Sequence, residues 1–335
     1  PRLKNAERNG AMSIIVQNEQ IGKKGSLFSP RRRRALRGWL TGFLFALPVI
    51  LGIIIFSYYP AIQTFFWSFT DFNGMEITEW SFYQYEYMFT IDPDIWKIFG
   101  NTLLYAFVSV PLGLVLGYFL ALAANFKGKG VPVYRLLFYM PVIIPGIVNG
   151  ILFSTILGGN KFGVINELFH AFGMSADKNF KFFLSGNTAM ASLLFMGVWT
   201  VGGSMIIWLS AFKNIPDTLY EAAKLDGANA WQRLIKITLP MSTPMIFYNL
   251  ITGVIGALQC TTPLVIDAAG ITGAPGSGFD NSLYFVAIKI YNEAFGGSAY
   301  YAYASAIAWV LFAFIGILTI IIFSTSKWVF YGEED

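Results

Sequence analysis

Long apolar runs alternate with short polar segments along this 335-residue chain. Crossing a bilayer as a helix takes ~18–20 consecutive apolar residues. Six runs reach that length, at about Gly38–Tyr59, Phe99–Asn125, Tyr134–Leu157, Asn187–Phe212, Pro244–Ile266 and Tyr301–Ser324. The pattern predicts an all-α integral membrane protein with six transmembrane helices. Pro60 is expected to end the first span, Pro141 and Pro145 to kink the third, and Pro240 to break the chain before the fifth. Gly197, Gly202, Gly203 and Ser204 in the fourth span are small residues that let helices approach closely.

Charge orients these spans. Lys and Arg are in excess in residues 1–37, Phe126–Val133 and Lys213–Leu239, which places those segments in the cytoplasm, and with them Lys327–Asp335, a Lys followed by a short acidic end, so that both termini lie inside. The acidic stretch Asp71–Lys97, the mixed segment Gly158–Gly186 and the Gly-rich Ala268–Asn281 fall outside. Arg31–Arg34 and Arg37 read as a positive-inside anchor, with an anionic-lipid site as the sharper alternative. The chain divides into a cytoplasmic tail, 1–37, a membrane domain, 38–326, and a cytoplasmic tail, 327–335. The long apolar run after the basic cluster does not resemble a cleavable signal.

Composition narrows the function. Apolar residues make up 55% of the chain and charged ones only 13%, so modest loops join the spans and leave no room for a soluble catalytic domain. Cys260 and His170 are each the single residue of their type. No intrachain disulfide or His-based metal or catalytic site is expected, and His170 reads as a solvated loop residue. Apart from Arg135 at an end, the spans carry no Asp, Glu, Lys, Arg or His, which argues against proton coupling and less firmly against sodium coupling. No G-x-x-x-x-G-K-[ST] loop is present to cradle ATP phosphates. Energy must therefore come from another protein.

The polar island Glu221–Pro240 reads as two short helices meeting in an elbow at the membrane surface. Pro216 suits a first helical position, and Asp217 favours the same positive helix end. Gly227 is placed to end that helix in the left-handed conformation. A second helix is expected from about Ala228 to Ile237, with Trp231, Leu234 and Ile235 on one face.

Glu221, Ala222, Ala223, Gly227, Ile237, Leu239 and Pro240 match, without a gap, the EAA loop of permease subunits in binding-protein-dependent ABC importers. The Asp226-Gly227-Ala228 triplet is most similar to the carbohydrate-uptake branch. SYYPAIQTFFWSFTDFNG, IDPDIWKIFGNTLLYAF, YRLLFYMPVIIPGIVNGILFSTIL and YNEAFGGSAYYAYASAIAW extend the resemblance over about residues 38–325. Two departures bear on substrate choice. Gln259-Cys260-Thr261-Thr262 stands where many relatives read Gln-x-Phe-Asp, and Gly273-Ala274-Pro275 where Gly-Gly-Pro is common.

The resemblance implies a transport subunit rather than an enzyme, in the cytoplasmic membrane of a prokaryote. It implies a second homologous permease, two ATP-binding cassette subunits that hold ATP and Mg, and an extracytoplasmic solute-binding protein. This chain would carry no cofactor, and no nucleic-acid partner is expected. Glu221, Ala222, Ala223, Asp226, Gly227 and Ala228 would couple to the ATPases. The cargo would be a carbohydrate, foremost an oligosaccharide. Import of glycerol 3-phosphate or another polyol is the alternative within the class, and a stand-alone sodium-coupled transporter the alternative outside it.

Uncharged polar and aromatic residues remain within the spans: Asn149, Trp199, Thr200, Asn249, Gln259, Thr261 and Thr262. Amides and hydroxyls can bond the OH groups of a neutral sugar, and flat rings can cover its C–H faces. The resemblance points first to Asn149, Thr200 and Gln259. The competing reading is that such residues hold helices together, at ~0.6 kcal/mol each. For Thr261 and Thr262 bonding to carbonyls of their own helix is favoured.

Overall fold

A computed structural model describes residues 30–330 except 78, 127, 161, 176–177, 268–273 and 298, with side chains from residue 38 onward. The tail 1–29, the side chains of the basic cluster, Lys127, Gly273 and the acidic end Glu333–Asp335 lie outside the described residues. The chain forms two units, Pro1–Gln63 and Thr64–Asp335.

A bilayer offers no water to the backbone, so apolar runs close their hydrogen bonds within helices. The elements are α1 (Gly38–Trp67), α2 (Ile95–Asn125), α3 (Val131–Ile143), α4 (Gly146–Ile156), α5 (Val164–Ala171), α6 (Gly186–Trp199) and α7 (Gly202–Lys213). They continue as α8 (Asp217–Leu225), α9 (Ala230–Met241), α10 (Thr243–Leu258), α11 (Thr262–Ile266), α12 (Val286–Phe295) and α13 (Tyr301–Ser324). Among the described residues there are no strands. α1, α2 and α13 are each long and apolar enough to cross a membrane unaided. Three pairs meet the same test only together: α3 with α4, bent by 98°, α6 with α7, bent by 45°, and α9 with α10, bent by 62°. Six spans result when each bent pair counts as one.

Several expected boundaries move, and proline chemistry explains most of them. α1 does not end at Pro60 but runs on to Trp67, and α9 passes through Pro240 to Met241 before breaking at Ser242. A proline ring clashes with the carbonyl four residues back and offers no N–H. Both helices avoid the clash by widening the preceding turn into a π-helix, Ile54–Tyr58 and Leu234–Thr238. In those turns the N–H of Tyr59 bonds the Ile54 carbonyl, and that of Leu239 the Leu234 carbonyl. The same device, Tyr87–Ile91, precedes Pro93.

The third span is broken rather than kinked. Ile144, held extended (ψ 125°) before Pro145, separates α3 from α4. The fourth and fifth runs are interrupted too, at Thr200–Val201 and at Gln259–Thr261. α13 keeps its expected bounds. His170 is not a solvated loop residue. It lies in α5, with Nε2 2.9 Å from Asn179 Oδ1 and Nδ1 3.1 Å from the Met174 carbonyl.

α2 is the mast of the second unit. Its 31 residues span ~46 Å at 1.5 Å per residue. Near its start Ile95 and Ile98 join a core with Met88, Leu193, Leu258, Phe285, Ile288 and Ile307. Near its end Ala121 and Ala124 join a second core with Met205, Trp208 and Phe212. α7 and α10 pack along it, and Gly117 lets Ser204 of α7 come against its backbone.

The acids of the Asp71–Lys97 segment are not all solvated. The Asp92 side chain is only 3% exposed and lies 2.8 Å from Lys289 Nζ of α12, which also pairs with Glu293 at 3.1 Å. Tyr303 donates its hydroxyl to Asp92 Oδ2 at 2.5 Å. Burial alone would raise the Asp92 carboxyl, but hydrogen bonds from Lys289 and Tyr303 outweigh it and hold the group below its ordinary range. Burial likewise opposes the Lys289 charge, and the two carboxylates overcome it and raise the ammonium above its usual value. The sequence gives no sign of this cluster, because its members are far apart along the chain.

Candidate functional site

Midway along α2, between the two cores, lies a cavity of about 610 Å³. α2 contributes Tyr105, Ser109 and Gly113, which follow one another at four-residue intervals and so share a face. α10 contributes Asn249, Thr252, Gly253 and Gly256, and Gln259 stands at its C-terminal cap. α6 and α7 add Gly197, Thr200 and Ser204, and the chain after Gln259 adds Cys260, Thr261 and Thr262. Among the described residues, no Asp, Glu, Lys, Arg or His lines it. The wall sets hydroxyls, amides and bare backbone among aliphatic side chains such as Val110, Leu194 and Val198, a mixture suited to a neutral, hydroxyl-rich molecule with apolar C–H faces.

Of the residues singled out in the sequence, the structure brings Thr200, Asn249, Gln259, Thr261 and Thr262 together here. Thr200 terminates α6 and gives its hydroxyl to the Gly197 carbonyl at 3.0 Å, leaving its lone pairs for another donor. Asn249 gives its amide to the Met245 carbonyl at 2.8 Å. Gln259 is exposed because α10 ends there.

Two residues go elsewhere. Asn149 is buried at the break between α3 and α4, where its Nδ2 lies 3.4 Å from the carbonyls of both Pro141 and Ile144. Carbonyls freed by a broken helix need donors, and Asn149 supplies one. Trp199 borders a separate, apolar pocket with Phe138, Phe195 and Phe153, its ring 6.2 Å from that of Phe153. Tyr105, Ser109, Ser204 and Thr252 escaped the sequence reading. The four-residue spacing of Tyr105, Ser109 and Gly113 could have found the first two, as could the helical spacing of Asn249, Thr252 and Gly256 the last.

The second candidate region is the elbow. α8 runs from Asp217, with Pro216 as its N-cap rather than its first turn. It ends in a Schellman arrangement. The Gly227 N–H bonds the Lys224 carbonyl at 3.1 Å and the Ala228 N–H the Ala223 carbonyl at 2.8 Å. That closure needs a left-handed residue, and Gly227 has φ +77°. α9 begins at Ala230, two residues later than expected, because Asn229 caps it. Asn229 Oδ1 accepts from the Gln232 N–H and Gln232 Oε1 from the Asn229 N–H, both at 2.8 Å. Tyr220 and Thr238 join the two arms through their hydroxyls at 2.9 Å.

The elbow leaves Glu221, Ala222, Asp226 and Gly227 exposed, with Ala223 and Ala228 half-buried. Leu225 is 89% exposed and Trp231 64% exposed. Ala223, Asp226, Gly227 and Ala228 border a hollow of about 400 Å³ with Arg233 and Lys236 on its other side. Apolar side chains open to solvent beside charged ones of both signs make a surface suited to a protein partner.

Comparison with known proteins bears on both regions. The family described as "Binding-protein-dependent transport system inner membrane component" matches residues 110–329, which include the elbow and most of the cavity lining. The probable ABC transporter permease protein YesP of Bacillus subtilis is 37% identical over 301 residues, covering 88% of this chain and 94% of that protein. The diacetylchitobiose uptake system permease protein NgcF of Streptomyces coelicolor is 30% identical over 319 residues, covering 91% and 88% respectively. Among solved structures, a bacterial alginate ABC transporter in complex with its alginate pentasaccharide-bound periplasmic protein superposes with a TM-score of 0.76. It covers 88% of this chain and 96% of the matched chain at 22% identity, a likeness of fold.

Proposed function

The chain belongs to the binding-protein-dependent transport system inner membrane components, and from that premise we infer that its polar cavity is part of an import route for a neutral oligosaccharide. Its relatives are ABC transporter permeases, non-catalytic membrane subunits whose ATP hydrolysis resides on separate chains. The observation that carries the sugar assignment is the lining: hydroxyls and amides set among aliphatic side chains, with, among the described residues, no charged side chain in it. Diacetylchitobiose, the cargo in the name of one relative, is a neutral disaccharide of this kind. Glycerol 3-phosphate would want an Arg or Lys, and none lines the cavity. Sodium-coupled transport by the chain alone is not favoured by its family.

In this reading a second permease completes the route and an external binding protein delivers the sugar. Two ATPase subunits bind on the cytoplasmic side, and the elbow docks on one of them. The Schellman closure at Gly227 sets the angle between α8 and α9, and Glu221 and Asp226 offer carboxylates to basic groups of the ATPase. ATPase closure moves α9, which bends directly into α10 at Ser242 and so into the cavity wall.

The test is reconstitution of the complete transporter with its binding protein, with ATP hydrolysis and uptake measured together. Neutral di- and trisaccharides, an oligogalacturonate and glycerol 3-phosphate serve as probes. A neutral sugar is expected to stimulate both activities. Stimulation and uptake confined to the acidic or phosphorylated probes would overturn the assignment. Cysteines placed singly at Asp94 and Lys129 are expected to react with an impermeant thiol reagent from opposite sides of the membrane. Reaction of both from one side would overturn the topology.

A further inference from the structure

Glycines within the helices of the second unit differ in their surroundings: some pack against a neighbour, and among the open ones Gly100, Gly146 and Gly316 do not line the cavity. At Gly117, Gly150 and Gly202 an added Cβ would collide with a neighbour: Ser204 Oγ, Val265 Cγ1 at 2.6 Å, and the Phe138 carbonyl, respectively. Close approach of helices accounts for all three. Gly113 in α2, Gly197 in α6 and Gly256 in α10 are different. An added Cβ at any of them would meet nothing within 4 Å. None has a positive φ, so backbone geometry does not require glycine either. Glycine is a poor helix former, and its use here has no packing return. What the three share is the cavity, which all of them line.

We propose that Gly113, Gly197 and Gly256 set the bore of this cavity, and with it the largest sugar admitted, by omitting side chains that would project into it. The proposal rests on the reading of the cavity as the import route. Its geometry follows from helical spacing. Gly113 continues the face of Tyr105 and Ser109, and Gly256 stands between Thr252 and Gln259 on α10. A side chain at either position enters the space that those hydroxyl and amide groups surround. Three different helices contribute, so narrowing is available from three sides.

Cys260 borders the same cavity but is buried, so the reporter is a cysteine at its exposed neighbour, Thr261→Cys, in a Cys260→Ser background. In membranes holding the complete transporter, its rate of modification is compared for N-ethylmaleimide and for a biotin–polyethylene glycol maleimide, read on the band of this chain. Gly113→Leu, Gly197→Leu and Gly256→Leu are expected to slow the bulky reagent about tenfold relative to the small one, and the matching Ala variants by less. Gly316→Leu is the control, since its position in α13 is equally open but does not line the cavity, and the ratio should not change. The Ala series keeps the test valid where a Leu variant fails to assemble. An unchanged ratio in assembled cavity variants overturns the bore while leaving the route intact. A Thr261→Cys reporter inert to both reagents overturns the route itself, and the bore with it.

Discussion

Lys289 ties three parts of the second unit together, and its removal gives a prediction whose size depends on pH. Lys289→Met keeps the length and apolar stem of the side chain but deletes the charge that lies 2.8 Å from Asp92. The Asp92 carboxylate, 3% exposed, then keeps only Tyr303 and the Asp94 N–H as partners. Breaking a buried ion pair from one side costs about 3–5 kcal/mol. At ~2–4 °C per kcal/mol, the melting temperature should fall by at least about 6 °C. Asp92→Asn should cost less, about 1.5–3 kcal/mol, because Lys289 still has Glu293 at 3.1 Å and Tyr303 still has an acceptor.

The pH dependence follows from the directions of the shifts. In the wild type the Asp92 carboxyl is lowered from its ordinary 3.8, so its contribution is complete above that value and is lost as pH falls through the lower folded one. Lys289 is raised above its ordinary 10.5, so its contribution is complete below that value and is lost as pH rises through the folded one. The cluster is thus fully stabilising from about pH 5 to 9. Without Lys289 the largest counterweight to burial is gone, so the folded Asp92 value moves up from its wild-type position and the variant's deficit narrows on acidification. Thermal unfolding of the purified complex at pH 5 and pH 7 reads both effects. A Lys289→Met melting point within about 2 °C of wild type at pH 7, or one that falls further below wild type at pH 5, refutes the reasoning.

Three other outcomes follow from the site geometry. Gly227→Pro should abolish sugar-stimulated ATP hydrolysis and transport, and Gly227→Asn should retain more than Gly227→Ala, because Asn tolerates φ +77° best after glycine. Equal activity of all three variants would remove the elbow angle from the mechanism. Asn149→Leu leaves the Ile144 carbonyl at the α3–α4 break without its side-chain donor, while Pro141 keeps the Ile144 N–H, and should lower stability by about 1–3 kcal/mol with unchanged apparent affinity for sugar, as unfolding and uptake kinetics together would reveal. Gln259→Leu should do the reverse, weakening apparent affinity about three- to tenfold in uptake assays while the complex stays assembled.

The apolar runs by themselves determined the helices, because a segment without water for its backbone has little choice but to close its bonds locally. The span at Tyr301–Ser324 is legible to the residue, and Gly227 announces its left-handed turn by being the one residue type that adopts it without strain. The Glu-Ala-Ala pattern marked the elbow for the same local reason: its closing bonds run between residues five apart or fewer. Prolines were legible as disturbances but not in their outcome. Pro60 and Pro240 are absorbed by π-turns, whereas Pro145 breaks its span by 98°. Which polar residues meet was decided only by tertiary structure. Asn149 and Gln259 are similar amides in apolar runs, yet one repairs a broken helix and the other faces a cavity. The pairing of Asp92 with Lys289 bridges nearly two hundred residues, and sequence pattern carries no information across that distance. Local bonding and burial are written in neighbouring residues, while a cavity exists only between helices that packing has brought together.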